Sequence, residues 1–275
     1  MKSYLRTKDY SVSKEEFELF YDDDLEMLVT QPIPNNLDDY YKSDDYISHT
    51  DSRKSLMDKI YHTVKRVSIL SKLQMIERFG RKNKRLLDVG AGTGDFLLSA
   101  KKRGWEIMGV EPNHDARMRS REKKIELLSA MEVLPGEKFQ VITLWHVLEH
   151  LPDLENQVLK LVWHLEENGT MVIAVPNFNS FDAKHYQEFW AAYDVPRHLW
   201  HFSKSSIEKL FLKHGLKIVK TKPLIFDSFY VSLLSEKYKT GQQNFLKAFW
   251  IGLRSNINAW RTKEYSSLIY ILQRA

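Results

Sequence analysis

Eleven residues, Leu86 to Phe96 (LLDVGAGTGDF), hold the densest set of groups suited to binding a small molecule. The apolar Leu86-Leu87 pair reads as the end of a buried strand, and Asp88 follows it. Glycine then takes every second position, at Gly90, Gly92 and Gly94. A strand that turns this tightly into a helix needs residues free to adopt positive φ and without a Cβ to hold a ligand away. An acidic residue just before the turn repels phosphate, which a helix N-terminus otherwise attracts, and suits a cationic or hydroxyl-bearing ligand. The spacing G-x-G-x-G also departs from the G-x-G-x-x-G of dinucleotide sites. About 20 residues further on, a nucleotide-binding α/β unit places an acidic residue at the end of its second strand to hold ribose hydroxyls. WEIMGVEPN supplies Glu111 there, followed by Pro112; the plainer reading is that Glu111 only opens a helix.

Two further stretches concentrate ionisable groups. WHVLEHLPD (Trp145 to Asp153) carries His146, Glu149 and His150. VPNFNSFDAKHYQEFWAAYDVPRHLWHFS is a long aromatic and charged connection, and loops of that length in a compact domain usually serve function. Asp194, Arg197, His198 and His201 fall within eight residues there, with Tyr186, Trp190 and Trp200 around them. Histidine titrates near neutrality, so His150, His198 and His201 are candidate bases for a hydroxyl acceptor. Arg197 is a candidate anchor for an anionic substrate group, or pairs with Asp194 as a structural clasp. Ser203 caps the helix that follows, which favours a structural role for part of this motif.

These residues need a scaffold, and the alternation of apolar runs from Arg85 onward predicts one. Strands are expected at 85–89, 105–110, 125–129, 139–145, 170–175, 216–221 and 267–272. Helices are expected at 95–103, 113–123, 153–166 and through SKSSIEKLFLKHG. The fold class is therefore α/β, a Rossmann-like, mostly parallel seven-stranded sheet covered on both faces. An amphipathic helix is expected from Ser52 to Phe79, with Leu56, Ile60, Val64, Val67, Leu70, Leu73 and Ile76 on one stripe. Residues 1–51 form an N-terminal extension with little periodicity beyond a strand near Leu25–Thr30, and residues 52–275 form the ligand-binding domain. A helical insertion at about 224–264 precedes the last strand. Its FLKAFWIGLRSNINAW stretch suits a lid over an apolar substrate, a homodimer face, a membrane-surface contact, or packing on its own domain.

Composition narrows the partners. Lysines and arginines lie throughout the chain and give a net charge of +5, without the single basic stripe of a nucleic-acid binder. The absence of cysteine excludes disulfides and thiolate chemistry and suits a reducing cytoplasm. The polar N-terminus lacks a signal-peptide core, and no window reaches the roughly 18 consecutive apolar residues of a membrane span. The expected partner is a small-molecule or lipid-like substrate, with no nucleic acid and no stable membrane insertion.

At Asp88 to Gly94 the chain resembles the class I S-adenosylmethionine-dependent methyltransferases, whose first motif is an acidic residue, any residue, then G-x-G-x-G. WHVLEHLPD resembles the corresponding loop of the ubiquinone-biosynthesis O-methyltransferase group, and D-x-P-R-H-x-x-H-F-S resembles a large bacterial methyltransferase group. The resemblance implies S-adenosylmethionine as cofactor. It implies cofactor contacts from Asp88, Gly90, Ala91, Gly92, Gly94, Glu111, Pro112, Met131 and His146. The family's usual acidic residue near the adenine falls at Ala130 and Met131 and is missing. An E-x-x-E-H metal set of some quinone methyltransferases becomes His146/Glu149/His150, for which loop-tying hydrogen bonds are favoured over a metal. Tyr186, Trp190, Asp194 and Arg197 become candidate substrate contacts. The TQPIP stretch at 30–34 is similar to a motif that follows a zinc ribbon in some relatives, but Asp22 and Leu25 stand near the cysteine positions. The resemblance thus implies methyl transfer to a hydroxyl oxygen, with a sugar-nucleotide methyltransferase or a non-catalytic cofactor-binding partner protein as alternatives. A Rossmann-type dehydrogenase is opposed by the glycine spacing. The Pro-Pro-Tyr signature of many amino-group methyltransferases is absent.

Overall fold

The computed structural model describes residues 1–41, 56–80 and 83–275; the expected boundary at 51/52 and the first turn of the helix from Ser52 lie outside them. The chain opens with three antiparallel strands, β1 (Lys2–Lys8), β2 (Glu16–Asp22) and β3 (Met27–Gln31). Only the last was expected. In β2 the buried Phe17 and Leu19 alternate with outward Glu16 and Glu18, too short a pattern to stand out. The β2–β3 turn is closed by the Asp22 carboxylate, which accepts from the backbone N–H groups of Asp24 and Leu25.

Helix α1 (Leu56–Glu77) leads into the main domain, and Leu73 and Ile76 reach its core. Next come β4 (Arg85–Val89), α2 (Asp95–Lys101), β5 (Glu106–Val110), α3 (His114–Glu122), β6 (Phe139–Trp145), α4 (Leu154–His164) and β7 (Leu165–Pro176). The connection after β7 contains α5 (Phe181–Tyr186) and the two-residue strand β8 (Trp200–His201). The chain ends with α6 (Lys204–Leu212), β9 (Leu216–Pro223), α7 (Asp227–Thr240), α8 (Phe245–Thr262) and β10 (Ser267–Arg274).

The runs RLLDV and FQVITLW are apolar on both faces, as strands between two helical layers must be. They lie at the centre of a six-stranded sheet of order β5-β4-β6-β7-β10-β9, parallel except for β10, which is antiparallel to both neighbours. The strand expected at 125–129 is reduced to one parallel bridge, Val110 to Leu128, outside β5. Leu127 packs there against the bare face of Gly109, where a Cβ would approach it to 2.5 Å, so the crossing is close but short. One core lies under α1 and α2, around Leu86, Phe96, Leu97 and Trp105. The other lies under α4 and α6, around Leu87, Ile142, Leu161 and Phe211.

The N-terminal sheet is completed from the far end of the chain. β8 pairs antiparallel with β3, Leu28 with His201 and Val29 with Trp200, and Thr30 N–H donates to the Leu199 carbonyl at 3.0 Å. The expected extension and the ionisable loop therefore share one sheet. Arg197 locks them together. Its guanidinium donates to Asp9 at 3.0 Å, to both oxygens of Asp194 at 2.6 and 3.0 Å, and to the Tyr40 carbonyl at 2.9 Å. Asp9 is fully buried and also accepts the backbone N–H groups of Ser11, Val12 and Ser13. Burial alone would raise the Asp9 pKa, but Arg197 and these donors outweigh it and hold the carboxylate well below its usual range. Removing one partner of such a buried network strands the other charges. We expect Arg197→Met to lower the urea unfolding free energy by about 3–5 kcal/mol. Arg197→Lys should recover little of the loss, because an ammonium lacks the planar fork. A loss well under this for Arg197→Met would show that the clasp is not what joins the two sheets.

Candidate active site

The site lies at the carboxyl ends of β4, β5 and β6, where the sheet order reverses and open α/β sheets bind ligands. The turn after β4 hangs over β5: the N–H groups of Gly90 and Ala91 both donate to the Val110 carbonyl, at 2.8 and 3.0 Å. Gly90, Gly92 and Gly94 have φ of 71, 53 and 74°, the left-handed region that favours glycine. Their surroundings differ. A Cβ on Gly90 would stand 2.3 Å from Val147 Cγ2, in the loop after β6, whereas a Cβ on Gly92 would meet nothing within 4 Å. The first glycine brings two loops together; the second faces open space.

Asp88 is buried and accepts Thr143 Oγ1 at 2.6 Å, its direct neighbour in the β4–β6 register. Burial raises its pKa to about 7, against the opposing pull of Thr143 and of Lys72 on α1. Lys72 reaches in over the Trp145 ring at 4.4 Å, and burial depresses its own pKa. Glu111 projects from the end of β5, where its carboxylate accepts Gly92 N–H at 2.8 Å and Asn113 N–H at 2.9 Å. The glycine turn and the acidic residue expected on the ribose are thus in direct contact. Pro112 is exposed beside them. Met131 is buried in the main core, so any contact with a ligand falls to its surroundings rather than to an exposed side chain. Thr143, Lys72 and Trp145 were missed from sequence because nothing local marks them; only register and helix packing bring them to Asp88.

The loop after β6 begins with His146 at φ 57°, a strained value for a residue with a Cβ. Its ring lies between two carboxylates, Nδ1 at 3.4 Å from Glu149 and Nε2 at 3.1 Å from Asp227, the first residue of α7. Burial pulls its pKa down, but the two carboxylates outweigh this and raise it to about 10, leaving an imidazolium at neutral pH. Asp227 thereby joins the helical insertion to the site, a residue for which the sequence offered no signal.

His150 and His198 stand edge to face, ring centroids 4.5 Å apart, although 48 residues separate them in sequence. His150 Nδ1 lies 3.0 Å from the Arg197 carbonyl and from the Tyr41 hydroxyl, and His198 Nδ1 lies 2.9 Å from the Ala192 carbonyl. A carbonyl only accepts, so each ring carries a proton on Nδ1 and, when neutral, a lone pair on Nε2. Burial, with the neighbouring His198, lowers the His150 pKa to about 4. Glu149 is buried against both rings, and neither carboxylate oxygen has a hydrogen-bond partner. Ligand atoms of Glu149, His150 and His198 lie within 4.8 Å of one another. Two imidazoles held by carbonyls and one unsatisfied carboxylate can receive a proton or hold a cation. His198 thus takes the place of His146 in the set read from sequence.

The other candidates are placed differently. His201 sits in β8 with Nε2 2.9 Å from Thr30 Oγ1, whose own proton goes to the His198 carbonyl at 2.7 Å. Burial holds the His201 ring neutral, packed on Tyr193, and 6.4 Å separates it from His198. Tyr186 and Trp190 are core residues, with the Trp190 indole N–H donated to Asp182 at 2.8 Å. Asp194 and Arg197 are the clasp described above.

This sheet order, with candidate binding groups after β4, β5 and β6, defines a class I S-adenosylmethionine-dependent methyltransferase fold. Residues 62–221, more than half of the chain, match the model of a methyltransferase-domain family, and the chain belongs to that family. A ubiquinone biosynthesis O-methyltransferase of Histophilus somni (strain 2336) is 29% identical over 123 residues, 39% of this chain and 52% of the relative. Another, from Rickettsia canadensis (strain McKiel), is 25% identical over 160 residues, 52% of this chain and 66% of the relative. The chain thus spans about half to two thirds of these relatives. Magnesium protoporphyrin IX methyltransferase of Synechocystis PCC 6803, crystallised with bound SAH, superposes with TM-score 0.57 at 12% identity, covering 86% of this chain and 97% of that one. Geranyl diphosphate C-methyltransferase of Streptomyces coelicolor A3(2) superposes at 0.54 with 14% identity, covering 83% and 89%.

The elevated pKa of His146 has a definite sign. A histidine whose folded pKa lies above its unfolded value stabilises the fold fully below about pH 6.5 and loses that stabilisation as the pH rises through the folded value. The difference in unfolding free energy between the native chain and His146→Gln should therefore shrink from pH 6.5 to about 10. A difference independent of pH would mean that the imidazolium between Glu149 and Asp227 does not form.

Proposed function

We propose that this chain transfers the methyl group of S-adenosylmethionine to a hydroxyl oxygen of a small-molecule or lipid-like acceptor. The observation that carries the reading is the contact between Gly92 and Glu111 beside open space, with Asp88 buried behind the turn. Bound there, S-adenosylmethionine supplies a methyl carbon already activated by the sulfonium charge. The chain has to align donor and acceptor, exclude water and take up one proton. Glu111 holds ribose hydroxyls, and the backbone at Gly90 to Gly92 lets the methionine part lie close. Bound S-adenosylmethionine would give up its methyl group to the acceptor oxygen and leave as the neutral thioether, and the hydroxyl proton would pass to the His150/His198 pair. Glu149 stabilises the imidazolium that results, since its carboxylate lies beside both rings as well as beside His146. The relatives named as O-methyltransferases support oxygen as the accepting atom.

Calorimetric titration with S-adenosylmethionine, S-adenosylhomocysteine and NADH tests the reading. Micromolar binding of both adenosyl ligands, abolished in the Asp88→Ala, Glu111→Ala double variant, is the expected result; binding of NADH alone would overturn it. Gly92→Ala should weaken the adenosyl ligands at least tenfold while costing the fold about 1–2 kcal/mol, the usual penalty of a Cβ in the left-handed region. Gly90→Ala should chiefly destabilise the protein, because its Cβ collides with Val147. With an accepted substrate, His198→Ala should lower kcat by about 10²–10⁴ and leave cofactor affinity unchanged.

A further inference from the structure

Helix α8 is built the wrong way round for a helix that only packs on its own domain. Its inner face consists of Ala248, Gly252, Ser255, Asn256 and Ala259, all buried. The packing there is close and polar. Gly252 lies against α7, where a Cβ would meet Phe229 at 2.8 Å. Asn256 donates to the Ile225 carbonyl at 2.9 Å, and Ser255 to Asp182 at 2.6 Å. The large apolar residues point outward. Leu246 is 77% exposed, Trp250 63% and Trp260 65%, with Phe249 and Ile257 between them on the same side. An apolar helix face of this size left in water marks an interaction surface.

Charge identifies the partner. From Lys237 to Lys263 there is no aspartate or glutamate, and six cations occur: Lys237, Lys239, Lys247, Arg254, Arg261 and Lys263. This one segment carries more positive charge than the net +5 of the whole chain, so the remainder is slightly acidic. Lys247, Arg254 and Arg261 recur every seven residues, two turns apart, and form a stripe flanking the aromatic one, in which Lys247 also pairs with Glu236 of α7 at 3.1 Å. An apolar stripe rich in tryptophan beside a basic stripe is the pattern of a helix lying in the headgroup region of a membrane. A second copy fits poorly, because a two-fold contact sets the same patch against itself and would oppose these cations to one another. Among the described residues no helix is long and apolar enough to cross a bilayer, so the contact is interfacial.

We infer that α8, with the exposed Phe226 and Tyr230 at the start of α7, seats this protein on an anionic lipid surface. Phe226 directly precedes Asp227, the partner of His146, so the seated face adjoins the loop after β6. The inference concerns binding and stands whatever the acceptor.

Flotation with vesicles tests it, using phosphatidylcholine alone and phosphatidylcholine with about 30% phosphatidylglycerol. The protein should bind the anionic vesicles at least tenfold more tightly and release them in high salt. Leu246→Glu/Trp250→Glu and Arg254→Glu/Arg261→Glu should each weaken binding at least tenfold, with S-adenosylhomocysteine affinity unchanged as proof of an intact fold. Should either variant unfold, brominated lipid decides on the otherwise native protein: it should quench tryptophan fluorescence, and less so in Trp250→Phe/Trp260→Phe. No binding to anionic vesicles at low salt would overturn the inference. So would a dimer broken by the same substitutions, or tight binding of an RNA oligonucleotide, in a protein that vesicles do not retain.

Discussion

Burying the Arg197 guanidinium is the constraint from which the architecture around the site follows. A buried cation is tolerated only when its donors are satisfied, and here Asp9, Asp194 and the Tyr40 carbonyl surround it. Those three groups come from the first turn of the chain, from the loop after β7 and from the segment before α1. Once they converge, β8 is placed to pair with β3, the Arg197 carbonyl is fixed to receive His150, and His198 follows one residue later against the His150 ring. An N-terminal sheet remote in sequence thereby holds the imidazole pair in position.

The two halves of the candidate site are stabilised by different physics. Around the glycine turn the chain uses backbone groups and bare Cα positions, with Asp88 only partly ionised at neutral pH because burial raises its pKa to about 7. That environment admits a cationic ligand without first committing a full negative charge to the interior. In the loop after β6, His146, Glu149 and Asp227 form an ion-paired chain that ties this loop to the helical insertion. Glu149 is the pivot, buried beside three histidines and ion-paired with His146 at 3.4 Å.

The insertion shows the same division between inside and outside. Small and hydroxyl-bearing residues let α8 approach α7 and α5 closely, which leaves its aromatic residues no place within the domain. The dense inner packing and the exposed outer face have one cause, the distribution of residue size around the helix.

What the sequence by itself determined is the part written locally. The parallel strands, the helices between them, the glycine turn with Asp88 and the Glu111 that answers it all arise from short-range periodicity and from backbone conformations that only glycine enters freely. The family resemblance rests on the same local residues. The tertiary structure alone decided which ionisable groups meet. Tyr186 and Trp190 read as substrate contacts, yet burial makes them core, and of the two readings of Arg197, substrate anchor or clasp with Asp194, the fold forms the clasp. His198 comes beside Glu149 and His150 while His146 pairs with Glu149 and Asp227, and Asp227, Lys72 and Thr143 enter the site unannounced. Side chains that converge from distant segments do so through strand register and helix packing, and a sequence carries no local mark of either. The strands β1 and β2 were hidden for a related reason: their short alternation acquires meaning only when the loop after β7 supplies the neighbouring strand and the buried arginine.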